Sequence, residues 1–170
     1  MSNKVIERIE LLISMLTNTD SLMRQTMRVA LISIGEPAVP QLITALQTSK
    51  SEIVRWEIAK ALGVMLDERS IPALVASLND ASIDIAWLSA EALAKFKKRA
   101  WPTLLRALIK DGSKSILLRR GAHHVLRNQN DEEYNELLNT LRKVLEKETV
   151  PAGSFAVASK ILAQMGEASE

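Results

Sequence analysis

The chain has 170 residues, of which 47% are hydrophobic and 25% are charged, and its formal net charge at pH 7 is +2. This length favours one domain, and the apolar share is ample for a continuous core. Because the sequence contains no cysteine, it excludes disulfides, thiolate nucleophiles and sulfur-ligated zinc or iron–sulfur sites, and it suits a reducing compartment.

The N-terminal segment MSNKVIERIELLISML does not have the pattern of a signal peptide, because Glu7 and Glu10 interrupt its apolar stretch and no small-residue cleavage site follows. No apolar run approaches the roughly 18 uninterrupted residues that a membrane span needs. We therefore expect a soluble, cytoplasmic protein with no membrane partner.

The sequence repeats itself. An Ala-Leu pair recurs at intervals of 31 residues, at positions 30–31, 61–62 and 92–93. An arginine precedes the first two pairs, at Arg24 and Arg55, and Ala86 takes its place before the third. A proline and an apolar run follow each pair: Pro40, Pro72 and Pro102. A fixed period in this range indicates a stack of small units, none of which can bury its apolar face alone.

Each unit has the pattern of a helix pair. The chain has few glycines and prolines, and no segment alternates apolar and polar residues as a strand does. In the second unit Ser51 can cap a helix whose apolar residues recur at helical spacing, and Ser70 can cap the shorter helix that follows. The pattern predicts ten helices: residues 3–17, 20–34, 37–48, 51–66, 70–79, 82–96, 100–110, 113–128, 131–147 and 152–166.

Paired in order, these helices form five antiparallel hairpins. The last pair lacks the arginine and the proline, as a capping unit should. The sequence therefore predicts an all-α fold, a right-handed α-solenoid (α-α superhelix) of about five repeats in a single domain of residues 1–170. The expected units lie at approximately 3–34, 37–66, 70–96, 100–128 and 131–166.

Two stretches resemble a known repeat: LMRQTMRVALISIGEPAVPQLITAL (22–46) and EIVRWEIAKALGVMLDERSIPALVASLND (52–80). They resemble the HEAT repeat, and in particular its short bacterial form, the phycobilisome lyase-type repeat, over roughly residues 20–128. The resemblance implies the fold more than the function, because proteins with this repeat include scaffolds, chaperone-like factors, bilin lyase subunits and DNA-repair glycosylases. The chain departs from the repeat at Ala86, where arginine is usual, which leaves the polar contacts between repeats incomplete there.

Two tryptophans occupy equivalent outward positions in adjacent units. In such a stack the second helix of each pair lines the concave face, and two positions one turn apart point away from the core. Trp56 and Trp87 hold the first of these positions, so we expect their indoles to form an aromatic platform of the kind that interface hot spots use. In the alternative interpretation, each tryptophan folds over its own or a neighbouring helix and widens the core. Trp101, at a helix start, is expected to be structural.

The same counting places other polar residues on the concave face. Lys60 holds the second outward position beside Trp56. If Arg119 is the equivalent of Arg24 and Arg55 in the fourth unit, Arg120 and His124 hold the two outward positions of the fourth unit. His123 is then expected near the interface between repeats.

Basic residues are concentrated in one segment. Residues 95–127 carry ten basic residues and a single acid, a net charge of +9, while residues 1–94 carry −3 and residues 128–170 carry −4. This asymmetry favours an anionic partner: phosphate, nucleic acid or an acidic protein face. In the alternative interpretation, nearby acids neutralise the segment: Asp131, Glu132 and Glu133.

We therefore propose two sets of candidate binding residues from the sequence. The concave-surface residues are Trp56, Lys60, Trp87, Arg119, Arg120, His124 and Arg127. The basic patch consists of Lys95, Lys97, Lys98 and Arg99.

The sequence contains no motif that predicts catalysis. It has no glycine-rich phosphate loop, GxSxG, HExxH or dinucleotide fingerprint. Adjacent helical residues such as His123 and His124 point about 100° apart, so they are poorly placed to share a metal ion. We expect no enzymatic activity, no metal and no cofactor.

The sequence thus predicts a non-enzymatic scaffold or adaptor that binds another protein, one with an acidic surface, on its concave face. Two alternatives stay open. One is binding of nucleic acid through the basic segment 95–127. The other is a bilin-lyase or tetrapyrrole-handling subunit, which only the resemblance implies. The oligomeric state also stays open.

Overall fold

A computed structural model of the protein describes residues 3–151 and 153–167. Its α-helices are α1 (Asn3–Met15), α2 (Ser21–Ile34), α3 (Val39–Thr48), α4 (Glu52–Met65), α5 (Ile71–Ala76), α6 (Ile83–Phe96), α7 (Trp101–Asp111), α8 (Ile116–Leu126), α9 (Asn135–Leu145) and α10 (Ala156–Gln164). Within the described residues no strand occurs, so the prediction of an all-α fold is confirmed. The predicted last helix also included residue 152, which lies outside the described residues.

Short 3₁₀ turns lead directly into three of the helices, α3, α5 and α7. They cover Glu36–Ala38 before α3, Glu68–Ser70 before α5 and Lys97–Ala100 before α7, and a fourth, Ser77–Asn79, follows α5. Pro37, Pro40, Pro72 and Pro102 stand in first turns, where a missing amide proton costs no helical bond. The expected cap at Ser70 is wrong, because its hydroxyl donates to the Asp67 carbonyl at 2.6 Å and the Asp67 side chain accepts from the Arg69 amide.

The helices form two layers. The helices α1, α3, α5 and α7 pack on one another in chain order, and α2, α4, α6 and α8 form the other layer, the even layer. One continuous apolar cluster, from Ile9 to Leu162, runs between the layers. Stacked helix pairs with a shared core are an α-solenoid, as the period predicted. That residues 1–170 form a single domain stays a prediction, and residues 1–2, 152 and 168–170 of that range lie outside the described residues.

The last two helices exchange layers. α9 packs on α8 and α10 packs on α7, whereas regular stacking would place α9 on α7. Phe155, just before α10, lies so close to the end of α7 that a Cβ on Gly112 would be 2.7 Å from its ring. This last pair covers the end of the core and departs from the regular stacking. Both features are expected of a terminal unit.

Arginines at the repeat position hold each helix pair together. In every case an Nη1 atom donates to a backbone carbonyl of the loop before the even-layer helix, at 2.8–2.9 Å. Carbonyls at a helix end have no partner within the helix, so the guanidinium satisfies groups that the loop leaves open. These ladder arginines, with their acceptors in parentheses, are Arg24 (Asn18 and Thr19), Arg55 (Ser49) and Arg119 (Gly112).

The ladder arginines also reach the next unit. Arg55 donates to both carboxylate oxygens of Asp80, from Nε to Oδ2 at 2.7 Å and from Nη2 to Oδ1 at 3.0 Å. Arg24 bonds Glu57 at 3.3 Å, and Arg28 bonds the same carboxylate. Glu57 is only 2% exposed, so two arginines compensate the cost of burying one acid. A buried acid at this position was not expected from the sequence.

The third unit lacks this ladder contact. Ala86 has no polar side chain to offer, and polar contacts of other kinds join the third and fourth units. Ser115 Oγ donates to Asn79 Oδ1 at 2.5 Å, and Ser115 also caps α8 by accepting from the Leu118 amide at 3.0 Å.

The Arg55–Asp80 pair is expected to make stability depend on pH. Burial raises the pKa of Asp80, but the hydrogen bonds from Arg55 and from the Ser82 amide outweigh burial and hold the pKa below its usual value. A depressed pKa contributes stability that is present above the unfolded pKa of about 3.9 and is lost as the pH falls towards the folded value.

Asp80→Asn should therefore lower the free energy of unfolding at pH 7 by about 1.5–3 kcal/mol, as loss of a charged hydrogen-bonding partner does. The difference from the wild type should shrink as the pH falls from about 4 to 2. Urea unfolding at a series of pH values measures both effects. Asp84→Asn is the matched control, since Asp84 is exposed. A deficit for Asp80→Asn that stays constant down to pH 2 would show that the pair does not act as described.

Three of the even-layer helices, α2, α4 and α6, end on residues with positive φ that are 31 residues apart. Gly35 follows α2 with φ 75° and ψ −145°, Leu66 follows α4 with φ 52°, and Lys97 follows α6 with φ 55° and ψ −137°. Glycine adopts the conformation of Gly35 without cost, whereas a side chain in this region is strained. The turn into α7 therefore holds Lys97 in a strained backbone conformation, which lowers the stability of the fold.

Lys97→Gly should raise the free energy of unfolding by about 1 kcal/mol, because glycine relieves the positive-φ strain at a helix end. Chemical denaturation at pH 7 measures this change. Lys110→Gly removes the same side chain from within α7, where glycine is unfavourable, and should lower stability by up to about 1 kcal/mol. Equal losses for both variants would contradict the strained turn.

Candidate functional site

Exposed apolar side chains gather where α6 meets α8 in the even layer. Trp87 is 52% exposed, Ile83 is 71% exposed and Leu117 is 36% exposed. Between these large side chains the two helices leave a groove of about 170 Å³, the α6–α8 groove. It is lined by Ile83, Ala86, Trp87, Ala90, Leu117, Arg120 and Gly121. The residue that replaces the ladder arginine, Ala86, thus helps to line this groove.

Trp87 contacts side chains of α8 and its neighbouring loop, yet about half of its surface is exposed. Its ring lies on that of His124 in α8, with centroids 3.9 Å apart and planes inclined by 53°. The guanidinium carbon of Arg127 lies 5.7 Å from the Trp87 ring centroid, within cation–π range. His124 is buried, and its Nε2 lies 2.5 Å from Glu91 Oε1. The Glu91–His124 contact therefore fixes the support on which Trp87 rests.

A more polar cleft adjoins Trp87. It encloses about 280 Å³, and Trp87, Arg120, His123 and Arg127 line it together with residues 145–148. His123 pairs with Glu146 at 3.3 Å across this cleft. Trp87 and Arg120 line both the cleft and the α6–α8 groove, so the two depressions form one continuous site.

Two arginines of this site are unpaired. Within the described residues, neither Arg120 nor Arg127 has a hydrogen bond or a carboxylate partner, and both are exposed. Other arginines of the chain are neutralised by acids: Arg24, Arg28, Arg55, Arg69 and Arg99. Two free guanidinium groups beside an exposed indole can bind carboxylates or phosphates of a partner.

The expected platform of two tryptophans is not present among the described residues. No ring contact joins Trp56 to Trp87. Trp56 is half-buried, and Lys60 Nζ lies 4.2 Å from its ring centroid. Each indole is instead held by its own neighbours, so Trp87 alone stands clear of the helices. The predicted structural role of Trp101 agrees with its position, because this side chain is buried against the edge of Tyr134.

Two residues predicted to face solvent are buried. Arg119 is 3% exposed, and besides its ladder contact it donates from Nη2 to the Glu148 carbonyl at 2.5 Å. His124 is 7% exposed because Trp87 and Glu91 of α6 cover it. The prediction that these side chains are free to bind a partner is therefore wrong, and both support the site from below. His123, expected at the repeat interface, is instead partly exposed.

The basic patch is largely used within the protein. Lys98 Nζ lies 3.3 Å from Asp131 and 3.4 Å from Glu133, and Arg99 pairs with Glu68 at 2.9 Å. Burial lowers the pKa of Lys98, but its bonds with the two acids outweigh burial and raise the pKa above its usual value. Lys95 donates to the Gly63 carbonyl at 3.2 Å, and Lys97 is exposed. The alternative of internal neutralisation by residues 131–133 thus describes Lys98, whereas Arg99 is neutralised by a different acid, Glu68.

Sequence reasoning missed the exposed apolar side chains that line the α6–α8 groove and the adjoining cleft. Ile83, Ile116 and Leu117 stand in the first turns of α6 and α8, directly after Ser82 and Ser115. These isoleucines and this leucine fall outside the helix positions that face the core. The sequence did offer a signal for them: each is an apolar residue in the first turn of a helix, at a position that does not face the core.

Among residues 3–151 and 153–167, no three His, Asp or Glu side chains lie together in a way that could hold a metal ion. In the same ranges no single helix is long and apolar enough to cross a membrane, although α2 and the following helical segment Glu36–Thr48 pass that test as a pair bent by 110°.

The stacked helix pairs and the exposed groove between them define an α-solenoid repeat protein of the kind that presents a binding surface. The sequence matches the family of HEAT repeats over residues 9–94, just over half of the chain. The chain belongs to the HEAT-repeat family. No curated protein matches it. The matched range ends at residue 94, two residues before the end of α6 and well before α8, so the α6–α8 groove lies at its C-terminal edge.

Replacing the histidine beneath Trp87 tests how the indole is held. His124→Ala should free the Trp87 ring, so the tryptophan signal in the near-ultraviolet circular dichroism spectrum should weaken. Loss of a buried, hydrogen-bonded side chain should also lower stability by about 1–3 kcal/mol. His123→Ala is the matched control, since His123 is partly exposed, and it should leave the spectrum unchanged. Equal spectra for the wild type and His124→Ala would mean that His124 does not fix Trp87.

Proposed function

We propose that this protein is a non-enzymatic scaffold that binds another protein on the face of its even layer, with Trp87 as the principal anchor. The observation that carries this proposal is that Trp87 is half-exposed and yet fixed on His124. Tryptophan and arginine are the residues most enriched among interface hot spots. A fixed indole loses little further freedom when it binds, which lowers the cost of association.

The other predicted site residues have different parts in this proposal. Arg120 and Arg127 contact the partner beside Trp87, because they are exposed and unpaired. Trp56 and Lys60 extend the same face one unit towards the N-terminus. Lys95, Lys97, Lys98 and Arg99 add positive potential that steers an acidic partner, while Arg119 and His124 hold the surface in place.

Membership of the HEAT-repeat family supports this proposal, since HEAT repeats are commonly protein-interaction scaffolds. The cytoplasmic location and the absence of enzymatic activity stay predictions from the sequence. The phycobilisome lyase subtype and a role in handling tetrapyrroles rest on the resemblance alone. A spectral shift when a bilin is added to the protein would support that alternative.

Nucleic-acid binding is the second candidate, and the net charge of residues 95–127 favours it. Several of these charges are already paired, among them Lys98 and Arg99. Asp84 and Glu91 lie on the same helix as Trp87 and would repel phosphates. If nucleic acid binds, its affinity should fall by orders of magnitude between about 50 and 200 mM salt.

A pull-down from source lysate with the purified chain as bait separates these two candidates. A protein partner should survive nuclease treatment and should be lost with Trp87→Ala, because truncating a hot-spot tryptophan costs about 2–4 kcal/mol of binding free energy. Trp56→Ala combined with Trp87→Ala should bind no better than the single variant. Leu11→Ala, which removes an exposed apolar side chain from α1, is the control and should retain the partner.

Thermal unfolding of each variant shows whether it is folded before its binding is compared. Recovery of nucleic acid alone, with every protein band lost after nuclease treatment, would overturn the scaffold proposal. Retention of the same protein by correctly folded Trp87→Ala would remove Trp87 from the binding surface.

A further inference from the structure

The geometry points to the kind of partner segment that the Trp87 site takes: a short acidic peptide with one bulky apolar side chain. The apolar side chain enters the α6–α8 groove, and two carboxylates of the same peptide bind Arg120 and Arg127. This inference rests on the proposed function and specifies what the partner presents to the site.

The size and lining of the α6–α8 groove select one apolar side chain. At about 170 Å³ the groove is smaller than the roughly 300–1,000 Å³ of sites for small molecules. Ala86, Ala90 and Gly121 contribute little side-chain bulk, while Ile83 and Leu117 supply apolar walls. A leucine or phenylalanine seated there would also cover the exposed face of Trp87, so one side chain would bury several apolar groups at once.

The charges around Trp87 select carboxylates. The nearby acids Glu91 and Glu146 are occupied by His124 and His123 respectively. Within the described residues, neither Arg120 nor Arg127, which line the cleft together with Trp87, has a carboxylate partner. An arginine binds a carboxylate through two parallel hydrogen bonds, which gives both strength and direction.

The remaining charges of the cleft do not reverse this preference. Arg120, Arg127 and Lys147 line it together with Glu146 and Glu148, so with neutral histidines the lining carries a net charge of +1. The wider segment 95–127 is strongly basic, which raises the rate at which an acidic segment meets the site. Nucleic acid suits the site less well, since the groove offers a small apolar recess beside the arginines rather than a continuous basic track.

A phage-displayed library of random twelve-residue peptides, selected on the immobilised full chain, tests this inference. The enriched peptides should carry a bulky apolar residue close to two or more acidic residues. Synthetic copies, measured by fluorescence anisotropy, should bind the double variant Arg120→Glu/Arg127→Glu at least tenfold more weakly than the wild type. Arg8→Glu/Lys50→Glu makes the same change in net charge at exposed positions of the first two units, and it should change the affinity less than threefold.

Ala86→Leu tests the groove separately from the charges. It narrows the groove and leaves both arginines in place, so it should also weaken the selected peptides at least tenfold. Peptides in which the apolar residue is replaced by serine should bind the wild type and Ala86→Leu equally weakly.

Four results would overturn the inference: no enrichment, enrichment of basic or uncharged peptides, selected peptides that bind the double arginine variant as well as the wild type, or displacement of the peptides by an equal concentration of a twelve-nucleotide RNA. The scaffold proposal is judged independently by the pull-down. If that experiment recovers a Trp87-dependent protein while the library enriches non-acidic peptides, only the acidic-peptide inference fails. If no Trp87-dependent protein is recovered, the scaffold proposal itself fails.

Discussion

The bond from each ladder arginine to the carbonyls of the preceding loop is the interaction on which the stack depends. It joins the two helices of a pair, and the same guanidinium reaches the next unit: Arg24 to Glu57, Arg55 to Asp80 and Arg119 to the Glu148 carbonyl. Hydrophobic burial drives the helices together without fixing their direction. These directional, charge-assisted bonds specify how one pair is oriented on the next.

The candidate site lies where this ladder is interrupted. Ala86 provides no bond to the loop, and its small side chain helps to line the α6–α8 groove instead. The site is supported by polar contacts of another kind: His124 is held by Glu91 and in turn supports Trp87, while Arg119 ties the base of α8 to the loops on both sides. Fixed support beneath an exposed indole is the form of preorganisation that limits the entropy lost on binding.

The repeat period was sufficient to predict the helices, their pairing and the structural role of Trp101, because those features follow from local spacing and from one shared core. It did not predict the exchange of layers by α9 and α10, which depends on contacts such as Phe155 with Gly112. It also placed His124 in solvent, because counting along α8 takes no account of Trp87 on α6. The pairing of Lys98 with Asp131 and Glu133 was one of two interpretations that the sequence left open, because the fold alone brings together residues more than thirty positions apart.

The most direct measurement is amide hydrogen exchange of the free chain and of the chain bound to its captured protein partner. If the even-layer surface around Trp87 is the binding face, protection should increase in residues 83–91 and 116–127, and exchange in the outer helices α1, α3 and α5 should be unchanged. A complex that protects α1 and α3 and leaves residues 83–91 unaffected would contradict the account, because the partner would then bind the opposite layer.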